Sequence, residues 1–143
     1  MNTNKFLIGG IIAGVANFFL GWLIWGTLLL NYFKENTSEA AKGVMREDDE
    51  MIWWALIAGS LLWGLMLSYI INKARAVTFS SGATIGAMVN LLASASINCF
   101  FYAQMTIVNP KTMMVDIIAN VIVGAILGGL IGWYIGRGKK TGM

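Results

Sequence analysis

IIANVIVGAILGGLIGWYIG, Ile117–Gly136, runs without a single Asp, Glu, Lys or Arg. A helix rises ~1.5 Å per residue, so this stretch is long enough to cross the ~30 Å of hydrocarbon in a bilayer. It carries a second pattern as well, because Asn120, Gly124, Gly128, Gly132 and Gly136 recur at every fourth position. In lipid a neighbouring helix is no more apolar than an acyl tail, so helix contacts are written in small residues that let backbones approach. Four residues turn a helix by ~400°, so the stripe winds by ~40° per step. The segment reads as a transmembrane helix with a close-packing face.

The uncharged stretch Ala76–Pro110 is separated from it only by Lys111 and Asp116, and Phe6–Phe33 and Met51–Asn72 are equally free of charge. Each exceeds the ~20 residues that a span needs. The pattern predicts an all-α, integral membrane four-helix bundle forming one domain over 1–143. Its helices are expected over 6–31, 51–72, 78–106 and 112–136, with 32–50 as an outer loop. Composition agrees: the chain is 57% hydrophobic and 12% charged, where a soluble domain is about a quarter charged, and the mean hydropathy is +0.69. The first span is too long for a signal peptide, whose apolar region covers about 7–15 residues. Asn36-Thr37-Ser38-Glu39 resembles a capping box and predicts a short surface helix through Ala40, Ala41 and Val44. At the start of the fourth span, Asn109 can cap a helix that Pro110 begins. Short connections make the second and third helices, and the third and fourth, antiparallel neighbours.

Basic residues set the orientation. Lys5, Lys73, Arg75, Arg137, Lys139 and Lys140 fall at the two termini and the second connection, against Lys34, Lys42, Arg46 and Lys111 on the other side. The first side is read as cytoplasm, so both termini are expected there, in a multi-pass protein of a bacterial inner membrane. Trp53, Trp54, Trp133, Tyr134, Tyr32 and Phe33 lie near the expected interfaces, as aromatic belts do, while Trp22, Trp25 and Trp63 lie deeper.

Close packing is also expected of Gly82 and Gly86 on the third helix and of Gly10 and Gly14 on the first. The third-helix stripe continues through Asn90, Ser94 and Asn98, and the first through Asn17 and Gly21. The second helix, with Gly59, Gly64 and its Trp residues, is bulkier. Counting rise per residue, Asn17 and Asn90 fall ~16 Å from the cytoplasmic edge with Ser60 at a similar level, a candidate midplane layer. Asn98 and Asn120 fall within ~5 Å of the outer edge, with Tyr102, Gln104 and Asp116 just beyond. Such layers either hold helices together by hydrogen bonds or line a path for a small solute or ion. Asp116 is the one acidic side chain touching a span; it is expected among the headgroups near Lys111, where it would favour the helix N-terminus.

The absences narrow the chemistry. There is no His, so His-ligated haem, HExxH zinc sites, Ser-His-Asp triads and His proton relays are excluded. The single Cys99 can form no internal disulfide and reads as a small buried apolar side chain. No glycine pattern follows a strand as a nucleotide motif requires. The acidic run Glu47-Asp48-Asp49-Glu50 lacks the turn-making Gly of a Ca²⁺ loop and reads as a solvated loop. No catalytic, cofactor-binding or metal-binding residues are expected. The partners that remain are the bilayer and other transmembrane helices, not nucleic acid.

The segments KFLIGG, GWLIWGTLL, GVMREDDEMIWWALIAGSLLWG and VDIIANVIVGAILGGLIGWYIG resemble a group of small uncharacterised four-helix inner-membrane proteins of Bacteroidota. The resemblance covers nearly the whole chain; it implies the four-helix architecture and carries no activity, cofactor or site residue. Two function classes follow from the residues. One is a non-catalytic bundle docking laterally, as an accessory or assembly subunit of a larger membrane complex or as a homo-oligomer. The other is a minimal channel or transporter for a small solute or ion. Small proton-coupled exporters rely on a carboxylate in the first helix, and this first helix has none.

Overall fold

A computed structural model describes residues 2–41, 43–44 and 46–137. Lys42, Lys139 and Lys140, three of the basic residues that bear on the orientation, lie outside the described residues. All of the regular structure among those described is helical: α1 (Thr3–Leu23), a π turn (Ile24–Leu28), α2 (Leu30–Asn36), α3 (Trp53–Lys73), α4 (Phe79–Gln104) and α5 (Pro110–Gly136), with single 3₁₀ turns at Glu39–Ala41 and Asp48–Glu50. Four stretches are long and apolar enough to cross a membrane, namely Thr3–Leu28, Trp53–Lys73, Phe79–Gln104 and Pro110–Gly136.

Helix ends are set by local chemistry. Asn109 Oδ1 accepts from the backbone N–H groups of Lys111 and Thr112, both at 3.0 Å, and Pro110 follows at the first helical position, where its missing N–H costs nothing. Thr78 caps α4 in a reciprocal box with Ser81. The α3 terminus is a Schellman motif: Ala76 N–H bonds Ile71 O at 3.2 Å and Arg75 N–H bonds Asn72 O at 3.1 Å. Arg75 supplies the left-handed residue that this motif needs, at φ 56°, a conformation more often given to glycine.

The first outer connection differs from the expectation. Helical backbone continues through the π turn and α2 to Asn36, so the non-helical connection starts at Thr37 instead of residue 32. Asn36 Nδ2 donates to Tyr32 O at 2.9 Å, and Thr37 Oγ1 to Phe33 O. These bonds satisfy carbonyls orphaned at a helix end. The Asn36-Thr37 pair therefore closes one helix, and only the turn Glu39–Ala41 follows in place of the expected surface helix.

The spans pack as two tight pairs, α1 with α3 and α4 with α5, and α5 also touches α1 and α3. The connection 74–78 is short, and α3 and α4 touch, but only slightly beside the α4–α5 pair; α1 and α4 are not a packing pair. Lys5 Nζ reaches the carbonyls of Ile135 at 2.6 Å and Arg137 at 3.0 Å, so the start of α1 and the end of α5 share one end of the molecule. At that terminal end lies the core, where Ala13, Leu67, Ile71, Leu127 and Ile131 are all 0% exposed. Large side chains such as Phe19, Leu62, Leu92 and Phe100 point outward, as lipid-facing residues do.

Candidate functional site: a polar ladder joining the four spans

Below the site, glycines hold α4 against α5. A Cβ at Gly82 would collide with Gly128 O, one at Gly86 with Gly124 O, one at Gly132 with Thr78 O and one at Gly136 with Val77 O. On the other pair, a Cβ at Gly14 would stand 2.8 Å from Leu61 Cα and one at Gly10 3.0 Å from Leu65 Cα. Gly64, set aside as part of the bulkier helix, faces the backbone of Gly10 and Gly14 directly. Its partners could not be read from its own helix, because the small stripe it completes belongs to α1. Gly21 and Gly59 have nothing within 4 Å.

That close approach brings the polar side chains of α4 onto α5. Asn90, 1% exposed, donates from Nδ2 to Asn120 O at 2.9 Å and accepts at Oδ1 from Trp63 Nε1 at 3.2 Å. One turn further, Ser94 Oγ donates to Asn90 O at 2.6 Å. Asn98 Nδ2 then donates to Ser94 O at 2.9 Å and to Asp116 Oδ2 at 2.7 Å. Asn120 Nδ2 donates to Asp116 O at 2.9 Å and to Asp116 Oδ2 at 3.1 Å. Trp25 Nε1 of the π turn closes the ladder on Asp116 Oδ1 at 2.9 Å. All four spans contribute: Trp25 from the first, Trp63 from α3, Asn90, Ser94 and Asn98 from α4, Asn120 and Asp116 from α5.

Asp116 is bonded to Trp25, Asn98 and Asn120, and not to Lys111. It is the seventh residue of α5, and its carboxylate is partly buried and turned into the bundle. α5 starts at Pro110, which places Asp116 nearly two turns into the helix, and the π turn opposite aims an indole N–H at it. No described Lys or Arg pairs with it. Each group bonded to its carboxylate is an uncharged N–H donor, so both oxygens act only as acceptors.

The midplane layer of Asn17, Asn90 and Ser60 does not form. Asn90 turns to Asn120 and Trp63, and the side chains of Asn17 and Ser60 make no hydrogen bond among the described residues. Equal depth places residues on one level but not on facing sides, and α1 does not pack on α4. Trp25 and Trp63 are hydrogen-bond partners that periodicity does not reveal, since an indole in an apolar span looks like bulk until its N–H has an acceptor. Cys99, expected to be buried, is exposed on α4, because only every fourth residue of that helix faces α5. Tyr102 and Gln104 are exposed, as are Asp48, Asp49 and Glu50. Among the described residues no group of three or more His, Cys, Asp or Glu could hold a metal ion. Comparison of the chain with protein-family models, curated proteins and solved structures finds no match.

Proposed function

We propose that this is a non-catalytic multi-pass protein of a bacterial inner membrane, with both termini in the cytoplasm, that docks laterally on another transmembrane helix. The docked helix belongs to a larger complex, in which the chain is an accessory or assembly subunit, or to a second copy. Asn17 carries the reading. It lies ~21 Å along α1 from Thr3 at ~1.5 Å per residue, deep in the span, and its partly buried side chain has no hydrogen-bond partner among the described residues. Asn72, Asn90, Asn98 and Asn120 all donate hydrogen bonds within the chain. An amide left unpaired away from water costs about 1–3 kcal/mol, and a polar group on a docked helix relieves that cost. The close-packing glycines no longer argue for an outside partner, because α1, α3, α4 and α5 use them on one another.

The alternative, a channel or transporter, draws on the ladder. The ladder stops at Asn90 and Trp63, however. From there to the terminal end the chain is packed by Leu67, Ile71, Leu127 and Ile131, which weighs against a continuous polar path.

Native mass spectrometry of the protein extracted in lipid nanodiscs tests the proposal. The result expected is a stoichiometric partner or a dimer that is lost in Asn17→Leu while the chain itself stays folded. A wild-type monomer that carries solute flux in liposomes would sink it.

A further inference from the structure

The charges of the chain are segregated by end. Every Asp and Glu lies between Glu35 and Glu50 or at Asp116, and Asp116 stands ~32 Å before Arg137 along α5 at ~1.5 Å per residue. Lys5, Lys73, Arg75 and Arg137 gather at the terminal end with no Asp or Glu among them. Two of these cations are brought together. Lys5 Nζ donates to Ile135 O at 2.6 Å and to Arg137 O at 3.0 Å, which sets an ammonium on the backbone of Arg137 itself. An ammonium has three donors, so one is left over.

The guanidinium of Arg137 lies over the ring of Trp133, 3.6 Å from its centroid. Stacking uses a face of the guanidinium and leaves the N–H groups on its edge free. Among the described residues none of those N–H groups has an acceptor. Neighbouring cations repel unless an anion joins them, and the flat fork of a guanidinium matches two oxygens of a phosphate. The surroundings say which phosphate. Trp133 is 47% exposed in the last turn of α5, where aromatic rings mark the boundary between hydrocarbon and headgroups. Ile126 and Ile122, 36% and 52% exposed, fall within ~20° of Trp133 around the helix, at ~100° per residue. An apolar track therefore leads from the guanidinium into the span, and an inorganic anion has no use for it.

We propose that Arg137 and Lys5 form a headgroup site for an anionic phospholipid. The guanidinium, shelved on Trp133, takes two phosphate oxygens, Lys5 supplies its remaining N–H, and an acyl chain follows Ile126 and Ile122. Lys73 belongs to a different face, its ammonium 5.6 Å from the ring centroid of Tyr69 on α3.

The test uses the full chain in nanodiscs holding equal amounts of phosphatidylglycerol and phosphatidylcholine, and native mass spectrometry reads the lipid that the released protein retains. Wild type should keep phosphatidylglycerol in preference. Arg137→Gln should reduce that preference by on the order of tenfold, as loss of a hydrogen bond to a charged group does. Lys73→Gln removes the same charge from the same end and should leave most of the preference. The side chains of Arg137 and Lys73 are exposed, so both variants should fold, which circular dichroism checks. The proposal is overturned by a wild type without the preference, or by equal losses in the two variants, which would mean a diffuse field and no site. It is equally overturned if inorganic phosphate displaces the lipid, which would mean a site for a free anion.

Discussion

At the scale of the residue, two asparagines of the same chemistry stand in opposite situations. Asn98 is 8% exposed and ties α4 to a carboxylate, and hydrogen bonds to charged groups contribute more than the ~0.6 kcal/mol average within membranes. Asn98→Leu should lower the unfolding free energy in detergent by about 1–2 kcal/mol. Asn17→Leu removes an amide that has no partner among the described residues, so the isolated chain should lose no stability. Equal losses from the two would contradict the pairing described here. Arg75 offers a substitution of opposite sign: a non-glycine residue in the left-handed region costs roughly 1–2 kcal/mol. Arg75→Gly should therefore raise the thermal midpoint by the equivalent of up to about 1 kcal/mol, once glycine's own entropic cost of ~0.5–1 kcal/mol is set against that relief. Its side chain is exposed, so little packing is lost in exchange, and a lower midpoint would mean that the turn is not strained.

At the scale of the element, α5 is the helix on which the others converge, and its two neighbouring glycines separate bulk from register. A side chain at Gly128 meets the backbone of Gly82 and Gly86, which cannot yield without parting α4 from α5. One at Gly129 meets the ring of Phe79 at 2.5 Å, and that ring is 53% exposed and free to swing aside. Gly128→Leu should therefore abolish the folded monomer, by loss of protease resistance and a collapsed melting transition. Gly129→Leu, the same change ~100° around the helix, should remain folded with a reduced midpoint. Identical melting curves would mean that the α4–α5 interface does not depend on backbone contact. The four-residue stripe on α5 could be read directly because spacing of small residues is a property of one helix. The partner of Gly64 could not, and neither could the π turn, which has no periodic signature and is recognised only by its bonding.

At the scale of the whole molecule, one end gathers Lys5, Lys73, Arg75 and Arg137, and the other the acidic turn Asp48–Glu50. Orientation can be checked in a Cys99→Ser background, with Cys introduced at exposed Ser38 or Ala74. An impermeant thiol reagent should label Ser38→Cys in intact spheroplasts and leave Ala74→Cys unlabelled until the membrane is opened; the reverse pattern would invert the topology. That four helices are long and apolar enough to cross a bilayer was legible in the sequence, as was the start of the last of them at Asn109 and Pro110. Span length, charge and capping are read along one chain, and hydrocarbon thickness sets the same requirement whatever the neighbours. Tertiary packing sets α1 on α3 and not on α4, which leaves Asn17 without a partner among the described residues and gives Asn90 to Asn120. It alone brought Trp25 to Asp116. Each residue turns a helix by ~100°, so a single π turn redirects every side chain beyond it, and which groups meet is settled by the rotation of each helix against its neighbour.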